Sequence, residues 1–196
     1  MEIVRLEPER YGEASAVLAR AFLDDPAWVW LIPEAARRER LLPPLFRAGF
    51  DVTAADVWST AGPVRGAARW LPPGRPAVRI AATLRALVTT PARLGRATGV
   101  FLAYGRAVEL MRMEVAGGPH WYLAGIGVDP GEQRHGVGGA LLRPGIEGAE
   151  RAGLPAVLLT NNEANISFYA RHGFEVEREG ETPRGGPRAW AMVKRP

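Results

Sequence analysis

The chain has 196 residues, 47% of them hydrophobic and 23% charged, which suits one packed domain spanning 1–196 and excludes a disordered chain. Its 25 basic residues are scattered and almost all arginine (Lys194 is the single lysine), and the formal net charge is only +4, so a nucleic-acid partner is not expected. With no cysteine, no apolar leader in Met1 to Arg5 and no apolar run long enough to span a bilayer, disulfides, thiolate zinc sites, a cysteine nucleophile and a membrane partner are set aside, and a cytoplasmic protein is the expectation.

Glu2 to Leu6 reads as a short edge strand. Glu9 to Leu23, with Ala16, Val17, Ala19 and Leu23 at helical spacing, predicts an amphipathic helix that stops near Asp24-Asp25-Pro26. A second helix is expected over Glu34 to Phe50, interrupted or kinked at Pro43-Pro44. Val57 to Thr60 and Val64 to Trp70 read as strands around a turn at Gly62-Pro63, with a loop at Pro72 to Pro76. Val78 to Ala116 is mostly helical in pattern, with breaks at Pro91 and Gly99.

Trp121 to Val128 reads as a buried strand, and Gly138 to Ala152 as a helix that Pro144 kinks or restarts. Ala156 to Thr160 is another buried strand. Asn165 to His172 is a short helix closed by Gly173, and Phe174 to Arg178 with Ala189 to Lys194 make a final antiparallel pair. Strands and helices alternate, yet the last two strands are consecutive, so the fold class is α/β (α+β) with a mixed sheet.

The segment Ile126 to Leu142 carries the clearest chemistry. It runs from a strand through a glycine-bearing loop into an apolar helix start. Such a junction aims backbone N–H groups at one point at the positive end of a helix, where an anion such as a pyrophosphate is favoured. Gly136, Gly138 and Gly139 are read as removing Cβ atoms that would block a ligand. A nucleoside-triphosphate loop would end in Gly-Lys-Ser/Thr, whereas Gly138-Gly139-Ala140 stands here. A dinucleotide loop would carry a third glycine at Leu141 and an acid after the next strand, which instead ends in Thr160-Asn161-Asn162.

The remaining pattern is Gln133-Arg134-His135-Gly136-Val137-Gly138 after Val128-Asp129-Pro130, followed by Asn165-Ile166-Ser167-Phe168-Tyr169-Ala170-Arg171-His172-Gly173-Phe174. Together these resemble the coenzyme loop and the Asn-x-x-Phe-Tyr-x-x-x-Gly-Phe signature of the GNAT superfamily of N-acyltransferases. Further segments over 119–196 are similar to its puromycin N-acetyltransferases, whereas the N-terminal half is similar only in outline. One departure is that the fixed charge just before the first glycine of the loop is displaced, with Arg134 and His135 in the two positions after Gln133.

The resemblance implies a single GNAT-like domain: a mixed, mostly antiparallel twisted sheet flanked by helices, with a splayed central strand pair. It implies acetyl-CoA as acyl donor, no metal, and a small-molecule amine as acceptor; a homodimer is left open. Ile126 and Val128 would pair with pantetheine, and the N–H groups of Arg134, His135, Gly136, Val137, Gly138 and Gly139, after Gln133, would hold the pyrophosphate. Asn165, with Asn162 as second candidate, would bind the pantetheine arm. Tyr169 would protonate the leaving thiolate and His120 would take the amine proton, with Glu114 or Glu109 as fallback. Phe22, Asp25 and Trp28 would lie at the acceptor cleft. Two alternatives stay open: a non-catalytic acyl-CoA-binding regulatory domain, and an acetyltransferase acting on protein N-termini or lysines.

Overall fold

A computed structural model of the chain describes residues 1–52, 55–75 and 94–196. Seven strands, β1 (Ile3–Arg5), β2 (Asp56–Thr60), β3 (Gly66–Leu71), β4 (Trp121–Val128), β5 (Ala156–Thr160), β6 (Glu175–Glu181) and β7 (Arg188–Lys194), form one sheet in the order β1-β2-β3-β4-β5-β7-β6. Every neighbouring pair is antiparallel except β4 and β5. The mixed sheet and the closing antiparallel pair are as expected from sequence. Among the described residues, the α-helices are α1 (Tyr11–Ala21), α2 (Pro26–Leu31), α3 (Ala35–Val52), α4 (Thr98–Ala116), α5 (Val137–Ala152) and α6 (Ile166–Ala170).

Alternation along the strands divides the core in two. Ala67 faces a layer built by α1 and α3, with Leu18, Leu42 and Phe50. Its neighbour Ala68 faces α5, where Trp70, Leu141, Leu142, Leu158 and Met192 pack. α4 covers β5 and β7 through Met111 against Ala189 and Ala191.

Four expectations need correction. First, α2 was not anticipated, because six residues show no helical period; its signal is local, with Asp25 as N-cap accepting from the Ala27 N–H at 3.0 Å and Pro26 in the first turn. Second, Gly99 does not break its segment: it lies in the first turn of α4, where a side chain would meet only open space. Third, α3 is not interrupted at Pro43 and Pro44, the interruption being one of the two outcomes expected there.

Fourth, α5 does not restart at Pro144. A proline there sterically disturbs the preceding turn and removes one donor. Next to it, Gly145 leaves a notch that the Trp70 indole fills, with its Nε1–H donating to the Leu141 carbonyl at 3.3 Å. The break expected at Pro91, and the start of that segment at Val78, lie outside the described residues.

Candidate active site

β5 pairs with β4 only through Trp121↔Ala156, Tyr122↔Val157 and Leu123↔Leu158, and its outer residues then pair with β7 alone. From Ala124 to Val128, β4 keeps β3 on one side and, among the described residues, has no strand on the other. The splay leaves a row of main-chain donors and acceptors open to an extended ligand.

At the end of this open edge the chain turns through Pro130–Glu132, and Asp129 holds the turn by accepting from the Gly131 N–H at 3.3 Å. Arg20 of α1 reaches Asp129 at 2.5 Å and holds its carboxyl below the usual carboxylate range. Gln133 donates from Nε2 to the Val128 carbonyl at 3.3 Å, folding the loop back on β4. Arg134 (φ 65°) and Gly136 (φ 79°) are both left-handed, and this reversal delivers the chain into α5. Among the described residues, no turn, loop or cap hydrogen bond uses an N–H from Gln133 to Gly139 as donor. The first-turn donors of α5 therefore face the cleft of about 1040 Å³ that Gln133, Arg134, His135, Gly136, Gly138 and Gly139 line. Val137 points its side chain into the core instead and is 1% exposed.

The glycines serve a purpose the sequence reading assigned differently. Gly136 supplies the left-handed turn, but a Cβ on Gly138 would lie 3.1 Å from Phe168 Cζ, and one on Gly139 2.9 Å from His172 Cε1. Both let α6 and the residues after it press onto α5. That contact fixes the wall carrying Asn165, Phe168 and Tyr169, so the two glycines shape the cleft from behind.

A second cavity of about 270 Å³ lies behind the first. Five residues line both: Phe22, Asp25, Ile126, Asn165 and Tyr169. Their shared surface is where the two spaces meet. Tyr169 is 6% exposed, packs edge-on against Phe168 (5.1 Å) and Phe174 (6.2 Å), and burial, reinforced by Asp25, pushes its phenol well above the usual tyrosine range. Burial also raises the Asp25 carboxyl, against the opposing hydrogen bonds from Ala27 and Trp28. Asn162 lines only the larger cleft, and its Oδ1 is taken up by the Ala164 N–H at 3.1 Å.

The inner chamber is aromatic. Trp28 packs on Phe46 (5.6 Å) and Phe101 (6.1 Å), and Trp30 on Tyr104 (6.2 Å). The Tyr104 hydroxyl contacts Asn161 Oδ1, and Asn161 Nδ2 donates to the Arg188 carbonyl at 2.8 Å, which ties α4 to the end of β5. Sequence reading placed Phe22, Asp25 and Trp28 here but missed Trp30, Arg69, Phe101, Tyr104, Tyr122 and Asn161. These come from α2, β3, α4, β4 and the end of β5, and no local motif joins them.

His120 is not brought to either cavity. It is 8% exposed, and its Nδ1 lies 2.7 Å from the Gly118 carbonyl. Its Nε2 meets the Arg112 guanidinium, which can only donate, so the ring is the neutral Nδ1–H tautomer with both nitrogens engaged. Burial pulls its pKa down. Glu109 pairs with Arg112, and Glu114 with Arg178 at 2.6 Å.

The sequence model of the acetyltransferase (GNAT) family matches residues 69–174, which contain the splayed strand, the loop and α6. The chain belongs to the GNAT family of acetyltransferases. Solved structures agree on the fold. A Corynebacterium glutamicum histone acetyltransferase HPA2 and related acetyltransferase superposes with TM-score 0.66 at 21% identity, covering 99% of this chain and 95% of that one. Drosophila melanogaster polyamine N acetyltransferase, which catalyses the formation of N acetylagmatine, gives TM-score 0.61 at 16% identity over 100% of both chains. The Escherichia coli ribosomal-protein-S18-alanine N-acetyltransferase gives 0.54 at 18%, covering 99% and 92%. Among the described residues no helix is long and apolar enough to cross a membrane.

Proposed function

We propose that this GNAT protein transfers an acetyl group from acetyl-CoA to the primary amine of a small molecule, both bound together. The observation that carries the reading is the meeting of a large cleft and an aromatic-lined chamber at Asp25, Ile126, Asn165 and Tyr169. The family uses acetyl-CoA, and a structural relative, the NatC complex, is known bound to CoA. The residues present suit that donor: unengaged N–H groups from Gln133 to Gly139 for the diphosphate, and the open edge at Ile126 and Val128, with Asn165, for the pantetheine amides. The chamber of about 270 Å³ suits a compact acceptor better than a protein segment, as do the polyamine and agmatine substrates named for structural relatives. The likeness read from the sequence over 119–196 lies mostly on the side proposed for the coenzyme and leaves the acceptor undefined.

Asp25 receives the role first considered for His120. The incoming ammonium sheds one proton to Asp25, a transfer favoured where burial disfavours an ion pair. The amine nitrogen then bonds to the acetyl carbon as the carbon–sulfur bond breaks. Tyr169 gives its proton to the departing sulfur, whose basicity the same dry surroundings raise. The second nitrogen proton restores the phenol, and the first leaves Asp25 for solvent.

Following free-thiol release from acetyl-CoA across an amine panel tests the assignment. The acid limb of kcat/KM is expected above the ordinary aspartate value of about 3.9, with activity rising as Asp25 loses its proton. Asp25→Asn is expected to remove that limb and slow turnover about 100-fold. A limb unchanged in the variant would take the role from Asp25. The linked effect on stability has the opposite slope: the folded carboxyl holds its proton more tightly, so the Asp25 contribution to stability falls as pH climbs past the ordinary value.

A further inference from the structure

The part of the chamber wall that carries Asp25 is gripped from outside the chamber. Phe22, Asp25, Trp28 and Trp30 all come from the chain between α1 and α3, whose helical element is the six-residue α2. A helix this short does not hold itself in place. Among the described residues, the turn and cap hydrogen bonds donated by backbone N–H groups from Phe22 to Ile32 reach only α1 or the segment itself. Apolar packing, as of Leu31 and Ile32 with Leu94, keeps the segment against the protein but has no directionality.

Arg38, in the first turn of α3, supplies the direction. It is 5% exposed, and its Nε donates to the Leu23 carbonyl at 2.7 Å. Its Nη1 donates to the carbonyls of Ile32 at 2.9 Å and Pro33 at 2.7 Å. Leu23 lies just before Asp25 and α2, and Ile32 and Pro33 just after, so one planar fork grips both ends of the segment. No turn, loop or cap backbone N–H among the described residues reaches any of these three carbonyls. Asp24 stands 3.5 Å from Nη2, but its side chain is 89% exposed, so that ion pair adds little. Arg38 itself lines neither cavity.

We infer that Arg38 is a positioning residue for acyl transfer, one that sets Asp25 at the junction of the two cavities without touching acceptor or coenzyme. This rests on the acyl-transfer reading and extends it. Lysine at this position keeps the charge but puts a compact ammonium in place of the fork, so the two ends are no longer gripped together. A displacement of about 1 Å at a reacting group costs up to about 100-fold in rate.

Arg38→Lys, assayed by thiol release from acetyl-CoA with an amine that the wild type turns over, tests the inference. Rates are taken per coenzyme-binding molecule, counted by calorimetric titration, so that partial unfolding does not enter. The kcat/KM for the amine is expected to fall about 10- to 100-fold, with coenzyme affinity within about twofold of wild type. The acid limb assigned to Asp25 is expected to move down toward the ordinary aspartate value, as the loosened segment lets water reach that carboxyl. In an Asp25→Asn background the same substitution is expected to cost no more than about threefold, because the group it positions is already gone. An unchanged kcat/KM, a loss repeated undiminished in the Asp25→Asn background, or loss of coenzyme binding together with turnover overturns the inference and leaves acyl transfer standing. No thiol release by the wild type with any amine, coenzyme still bound, overturns the acyl-transfer reading and this inference with it.

Discussion

Tyr169→Phe is expected to lower kcat about 100-fold while coenzyme affinity changes by less than about twofold. The phenol is buried at the junction of the two cavities, and its ring packs on Phe168 and Phe174. Phenylalanine keeps those ring contacts and removes only the proton that the proposal assigns to the leaving sulfur. A purely structural tyrosine would give a different pattern, with stability and coenzyme affinity falling and turnover per folded molecule holding. Stopped-flow thiol release combined with calorimetric coenzyme titration separates the two. The variant should also respond to the leaving group: an acyl donor whose thiolate is less basic needs less protonation and should recover part of the lost rate.

Gly145→Ala is expected to be the most destabilising single-methyl change in the chain. A Cβ there would fall 2.0 Å from Trp70 Cδ2 and 2.1 Å from Cε2. The indole cannot step aside cheaply: it is fully buried within the larger core cluster, and its Nε1–H is spent on Leu141. Overpacking of this kind costs about 1–3 kcal/mol or more. At about 2–4 °C per kcal/mol for a chain of this size, calorimetry should show Tm lower by roughly 2–12 °C. Gly105→Ala is the matched control, since α4 leaves open space at that position. It should be neutral or stabilising by up to about 1 kcal/mol. Equal behaviour of the two variants would mean that the Trp70 notch is not a rigid contact.

The elements proposed to hold the coenzyme were legible in the sequence because they are written in contiguous stretches. Strand, loop and helix start follow one another from Ile126 to Leu142, and Asn165 to Phe174 closes the same cleft. The acceptor side was not, because Trp30, Arg69, Tyr104 and Tyr122 meet only after the sheet, α2 and α4 have packed. His120 shows the converse error. A histidine at the start of β4 reads as a candidate base, yet it turns toward Gly118 and Arg112, and nothing in the chain near it announces that. Pro144 misled because a proline inside a helix does not by itself end it, and α5 runs on through it to Ala152. Gly138 and Gly139 were read as clearing space for a ligand, whereas the side chains they make room for are Phe168 and His172.

Backbone hydrogen–deuterium exchange with and without coenzyme A tests the central claim most directly. The N–H groups from Gln133 to Gly139 and the open edge of β4 are the surfaces assigned to the diphosphate and the pantetheine arm. Saturating coenzyme is expected to slow exchange in those two stretches more than anywhere else in the chain. Coenzyme that binds while leaving both stretches unprotected, and protects another face instead, would contradict the assignment of the cleft and the transfer chemistry built on it.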